Sequence, residues 1–141
     1  MDLTIIEEQV IELMDEFWFS CNVFNIDDDK QFMTEFYIID LNSAPVAALI
    51  TCFEDGVVSI RFGFNDVDNF KHIYELINNY NIDNDFFKAF IDKDDFFCLV
   101  CQSWTASDEE QVIDFIKMSF NFLLLKDNIK QLKPIVKKLI Q

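Results

Sequence analysis

Between Val46 and Phe64 the chain reads VAALITCFEDGVVSIRFGF. Its first eight residues are mostly small and branched, which suits a strand buried on both faces at the centre of a sheet. Asp55-Gly56 then supplies the positive φ that a tight hairpin needs. Beyond the turn, Val58, Ile60, Phe62 and Phe64 alternate with Val57, Ser59, Arg61 and Gly63, the period-two pattern of a strand. A central strand and its hairpin partner at mid-chain make a mostly antiparallel sheet the organising element.

Upstream, Thr4-Ile5-Ile6-Glu7 has the form of a capping box, and Ile6, Val10, Leu13 and Phe17 follow at helical spacing. A first helix is expected from about 4 to 17. Phe19 to Ile26 reads as a short strand closed by the turn Asp27-Asp28-Asp29-Lys30, and Phe32 to Leu41 as a second strand. Asn42-Ser43-Ala44-Pro45 turns the chain into the central strand.

Downstream, Asn65-Asp66 is expected to cap a second helix, with Val67, Phe70, Ile73, Tyr74 and Ile77 on one apolar face through about Tyr80. Asn78, Asn79 and Asn81 fray its end. Phe86 to Ile91 and Phe96 to Cys101 form a second hairpin around Asp92-Lys93-Asp94-Asp95. Ser107-Asp108-Glu109-Glu110 opens a long helix carrying Val112, Ile113, Phe115, Ile116, Phe120, Leu123 and Leu124, apolar around much of its circumference. The last segment sets Leu125, Ile129, Leu132, Val136 and Leu139 on one stripe and Lys126, Lys130, Lys133 and Lys137 on the next, with Pro134 expected to kink or split it. The result is an α+β single domain over residues 1–141, in the order α-β-β-β-β-α-β-β-α-α. The first and third helices cover one face, and residues 126–141 form a Lys-rich helical extension.

A chain of 141 residues with 51% hydrophobic content and 17 phenylalanines has enough apolar material for one well-buried core. Against 26 acidic residues stand 11 basic ones, and the formal charge of -15 repels nucleic-acid phosphate and anionic membrane surfaces while favouring basic protein partners or divalent cations. No apolar stretch reaches the roughly 18 to 20 residues that span a bilayer. The opening MDLTIIEEQV lacks the basic and apolar regions of a secretory signal, so the four cysteines are expected as reduced thiols and the protein in the cytoplasm.

Chemistry-bearing patterns are sparse. Cys98 and Cys101 have C-x-x-C spacing, but in a strand they point to opposite faces about 10 Å apart, too far for a disulfide. The Asp27 to Asp29 and Asp92 to Asp95 clusters match no calcium-loop pattern and read as solvated turns. His72, the single histidine, falls within the second helix beside charged residues and offers no base–nucleophile–orienter set. Two glycines, Gly56 and Gly63, cannot build a phosphate-cradling loop. No catalytic residue, cofactor or metal is expected.

The stretch from Phe70 to Asn81, FKHIYELINNYN, together with the element order, resembles the bacterial YbjN family of sensory-transduction regulators, whose fold is similar to that of type III secretion chaperones. Asn78 and Asn81 match the Asn-x-x-Asn element of that family, followed by a strand pair over Phe86 to Cys101 and a long helix over Ser107 to Leu125. The resemblance implies a non-catalytic, chaperone-like or regulatory module that binds another polypeptide, basic or secreted, as an acidic homodimer. Phe70, Ile73, Tyr74 and Ile77 of the second helix, with Ile129, Leu132 and Val136 of the last, are the expected dimer or partner interface. The alternatives are an acidic immunity-type inhibitor of a basic toxin and a small metal-dependent enzyme. The Lys-rich tail reads as an internal lid on the acidic surface, as a docking face for a partner, or as part of the core.

Overall fold

The computed structural model describes residues 1–37, 45–66, 72–101 and 104–139. In chain order the elements are α1 (Leu3–Glu16), β1 (Cys21–Ile26), β2 (Asp29–Tyr37), β3 (Pro45–Cys52), β4 (Val57–Asp66), α2 (Ile73–Asp83), β5 (Phe87–Ile91), β6 (Phe96–Cys101), β7 (Trp104–Thr105), α3 (Glu109–Leu124) and α4 (Lys126–Leu139). The order expected from the sequence holds, with the two-residue β7 added. All pairings in the seven-stranded sheet are antiparallel; the order is β1-β2-β3-β4-β6-β5, with β7 beside the start of β4.

The β3–β4 hairpin forms as its residues dictate. Gly56 adopts φ +95, its N–H donates to the Phe53 carbonyl at 3.0 Å, and the Asp55 carboxylate accepts from the Val57 N–H at 3.1 Å. A Cβ at Gly56 would come within 2.6 Å of the Ala106 carbonyl oxygen, so the position also needs the space. β3 is central, but its burial is one-sided: Val46, Ala48, Ile50 and Cys52 are sealed, whereas Ala47, Leu49 and Thr51 are only half-buried. The expected burial on both faces fails because the core packed by α1 and α3 seals one face of β3 and leaves Ala47, Leu49 and Thr51 half-buried on the other.

Several boundaries differ from the sequence reading. Asp2, not Thr4, caps α1, its Oδ1 accepting from the Thr4 and Ile5 N–H groups at 2.9 and 3.3 Å. A carboxylate at the positive end of the helix is the stronger acceptor. At α3 the cap is Asp108, which accepts from the Gln111 N–H, while the Gln111 side chain accepts from the Ser107 N–H. Asn65-Asp66 does not cap a helix: β4 runs on to Asp66, which pairs with Phe96 past an irregularity after Gly63. α2 instead begins after His72, whose φ of 69 breaks the backbone direction. Val67, Phe70, the turn at 42–44 and the end of the expected second strand at 38–41 lie outside the described residues.

α2 does not fray at its asparagines but runs on to Asp83, and of Asn78, Asn79 and Asn81 it is Asn81 whose side chain is hydrogen-bonded among the described residues. Asn128, buried on α4, accepts from the Tyr80 hydroxyl at 2.7 Å and donates to the Leu123 carbonyl at 3.0 Å, tying α2, α3 and α4 together. Burial pushes the Tyr80 hydroxyl above its ordinary range, so it stays a donor into alkaline solution. α4 runs unbroken through the exposed Pro134 and buries Leu132, Ile135 and Val136. Residues 126–139 are therefore part of the core rather than a lid.

Phe120 on α3 is the packing centre. Its ring lies 5.5 Å from Phe17, 6.0 Å from Phe19, 5.6 Å from Phe36 and 5.3 Å from Phe62. Replacing Phe120 by Ala should lower the unfolding free energy by about 3 to 5 kcal/mol in a denaturant titration. A loss below about 1 kcal/mol would show that the cluster is not the keystone.

Candidate functional site

The two edges of the sheet are treated differently. On β5 the register turns the backbone groups of Phe87 and Ala89 outward. The Asn81 side chain donates to the Ala89 carbonyl at 3.0 Å and accepts from the Ala89 N–H at 2.7 Å. Asn84 Oδ1 accepts from the Phe87 N–H at 2.8 Å. Two asparagines thus occupy the bonds a further strand would make, which is one way proteins block edge-to-edge pairing.

β1 has no such cover. Its two-residue turn at Asp27-Asp28 makes Ile26 and Asp29 a bonded pair, so Cys21, Val23 and Asn25 aim their N–H and C=O groups away from β2. Among the described residues nothing bonds to those groups. The strand carries no charged side chain, and Phe24 and Ile26 are each 45% exposed. Acidic residues stand at both ends: Asp15 and Glu16 before it, Asp27 to Asp29 after it.

Trp18 precedes this edge in the chain. The Trp18 N–H donates to the Asp15 carbonyl at 3.0 Å and the Phe19 N–H to the Met14 carbonyl at 2.8 Å, the two bonds of a Schellman helix end. Glycine ordinarily fills the left-handed position of that motif. Here a tryptophan holds it, at φ 63, with its side chain 94% exposed. The neighbours Phe17 and Phe19 both turn inward onto Phe120, which forces residue 18 outward. Non-glycine residues held in left-handed backbone cluster at functional sites.

Beside the same helix lies a cleft of about 390 Å³ between α1 and α3, lined by Glu12, Glu16, Glu110 and Asp114 with Lys117 as its one cation. This is where part of the acidic surplus gathers. The interface expected on α2 and α4 is placed otherwise. Ile73, Ile77, Leu132 and Val136 are buried in the chain's own core and Ile129 is half-buried against it, while Tyr74 stands 73% exposed. Phe70 lies outside the described residues. The apolar circumference of the long helix α3 is covered largely by α1, α4 and the sheet. The sequence reading passed over Trp18 and the β1 edge; the one available signal was Phe17-Trp18-Phe19 at a helix end, where three aromatic neighbours cannot all be buried.

The remaining candidates serve local structure. His72 is exposed at the start of α2, its Nδ1 3.9 Å from Glu75. The Asp92 carboxylate closes its own turn, and the N–H of Phe96, then that of Asp94, hold it below the usual carboxylate range. Among the described residues no three His, Cys, Asp or Glu side chains gather closely enough to hold a metal ion, and no helix is long and apolar enough to cross a membrane. All four cysteines are free. Burial pushes the Cys52 thiol up to about 12 and the Cys98 thiol up to about 11, and raises Cys101 as well.

Two outcomes follow for the native protein. Trp18→Gly should be more stable than Trp18→Ala by about 1 kcal/mol in thermal melts, since only glycine relieves the left-handed backbone. Equal stability would mean residue 18 is unstrained. Brief treatment with iodoacetamide near neutral pH should alkylate Cys21 first, the one cysteine that is not buried, and leave Cys52, Cys98 and Cys101 unmodified by mass spectrometry until denaturant is added. Prompt labelling of Cys52 in the folded state would contradict its burial.

Comparison with known proteins finds no matching family model, no matching curated protein and no matching solved structure.

Proposed function

We propose that the chain is a non-catalytic polypeptide-binding module, of the chaperone-like or regulatory kind that the YbjN resemblance implies, and that it takes an extended segment of a basic partner on the edge of β1. The observation that carries this reading is the asymmetry of the sheet, one edge stapled by Asn81 and Asn84 and the other open beside a solvent-exposed Trp18.

Added strands gain affinity from main-chain hydrogen bonds and specificity from alternate side chains. Cys21, Val23 and Asn25 offer the bonds, and Phe24 and Ile26 offer apolar contact on the open face. The carboxylates at both ends of β1 favour lysine or arginine in the incoming segment, and the net charge of -15 speeds encounter with it. Raised thiol pKa values and a solitary exposed histidine support a binding rather than a catalytic role.

A synthetic peptide of alternating lysine and valine tests this directly. In a Trp104→Phe background, where Trp18 is the single tryptophan, the peptide should shift the emission to the blue. Its affinity should fall as salt shortens the screening length to about 8 Å. The glutamate–valine counterpart should not bind, nor should a lysine–valine peptide with N-methyl groups along one edge. Asn25→Pro and Val23→Pro remove N–H groups that face away from β2, so both variants should fold yet bind at least about tenfold more weakly. Equal binding of the N-methylated peptide, or no loss in either proline variant, would sink strand addition. No binding of any basic polypeptide would sink the whole reading.

A further inference from the structure

We propose that the cavity between the end of α2, the start of β5 and the end of α3 binds the guanidinium of an arginine side chain carried by another polypeptide. The site lies at the opposite edge of the sheet from β1 and does not rest on strand addition there.

The cavity has a volume of about 370 Å³ and is lined by Asp83, Asp85, Phe86 and Phe122, together with Asn84 and the buried Asn128. Phe86 and Phe122 stack with ring centroids 4.3 Å apart and planes 12° from parallel, the closest and flattest ring pair among the described residues. Unlike the rings gathered around Phe120, this pair stands at the surface, with Phe122 39% exposed.

The polar groups decide the sign of the ligand. The Asn84 amide donates to Asn128 Oδ1 at 3.3 Å and to Gln131 Oε1 at 3.4 Å, and the Asn128 amide donates to the Leu123 carbonyl at 3.0 Å. Asn84 Oδ1 takes the N–H groups of Phe86 and Phe87 at 3.1 and 2.8 Å, and Asn128 Oδ1 also takes the Tyr80 hydroxyl. Both amides are thus engaged within the chain. Asp83 and Asp85 are exposed, and neither carboxylate forms an ion pair among the described residues. Lys88 of β5 is held instead on the carbonyls of Asn81 and Asn84, at 3.5 and 3.3 Å, while Lys126 and Lys130 of α4 do not line the cavity. What is left for a ligand is two carboxylates beside an aromatic wall, the surroundings of a cation with a flat apolar surface.

A guanidinium suits this better than an ammonium. It is planar and weakly hydrated, and it lies against a ring while its fork of N–H groups reaches a carboxylate; an ammonium keeps its water more tightly. The protein makes one such contact itself, with the Arg61 guanidinium 5.1 Å from the centre of the Phe90 ring. Arg61 is the single arginine of the sequence, so a second copy would have to give up its own Phe90 contact to fill the cavity. Because Asp83, Asp85 and Phe122 are themselves exposed, the cavity cannot enclose a free small molecule as ligand pockets do. A side chain presented by a polypeptide needs only its head covered.

Titration of the full chain with the capped peptide Gly-Ser-Arg-Ser-Gly, followed by proton–nitrogen correlation NMR, tests this. The side-chain amide signals of Asn84 and Asn128 should shift together and saturate at millimolar peptide. Peptides carrying citrulline, which has the shape without the charge, or lysine in place of arginine should bind at least about tenfold more weakly. Phe122→Leu removes the ring and Asp85→Asn the charge, both at exposed positions; each variant should fold by circular dichroism and bind at least about fivefold more weakly. Phe122→Trp offers a cation a stronger ring face and should bind more tightly, a gain that misfolding cannot imitate. Asn25→Pro should bind the arginine peptide as the wild type does. Equal binding of the citrulline peptide, no loss in either Phe122→Leu or Asp85→Asn, or tighter binding of free agmatine than of the peptide would overturn the proposal. So would peptide binding that is lost in Asn25→Pro while the Asn84 and Asn128 signals stay still, since the peptide would then sit on β1 and the strand-edge reading alone would stand.

Discussion

Phe120 draws rings from the end of α1, the approach to β1, β2 and β4 into one cluster, and much of the molecule follows from that packing demand. To place both Phe17 and Phe19 against it, the chain must reverse direction within three residues. A Schellman helix end does this, and the residue between the two phenylalanines is turned out into solvent with left-handed backbone. The exposed Trp18 is therefore a consequence of core packing in its position and a departure from core logic in its identity. Glycine would satisfy the geometry at lower cost.

Burial on one face is the second constraint. Helices over one side of an antiparallel sheet leave another face and two edges to be managed. At β5 the management is explicit, with Asn81 and Asn84 in the places of strand partners and the Asn128–Tyr80 bond fixing the helix that supplies them. At β1 no comparable device is present among the described residues. One edge is closed by part-buried polar bonds and the other stays apolar, uncharged and without a bonded neighbour among the described residues, which is the asymmetry on which the proposed strand addition rests.

Charge is partitioned along the same lines. Carboxylates gather on α1, at the start of α3 and at the strand turns, while Arg61 on the open sheet face lies over the Phe90 ring. The long-range field and the short-range contact surfaces are thus on different parts of the molecule.

What could be read from the residues alone was whatever is settled by neighbours in sequence. The β3–β4 hairpin was legible because Asp55-Gly56 dictates the turn and period two dictates the faces. The α+β order was legible because each element carries its own periodicity. The cap of α1 moved from Thr4 to Asp2, and the start of α2 moved to His72, because competing local signals are decided by which backbone groups tertiary pairing leaves free. The one-sided burial of β3, the two-residue β7, the use of Asn81 as an edge staple and the seating of Leu132 and Val136 in the core were not legible. Each depends on groups tens of residues apart meeting in space. Sequence thus determined the elements and their polarity, through local sterics and hydrophobic period. Only the tertiary structure decided which surfaces remain uncovered, because exposure is what is left after every distant element has been packed.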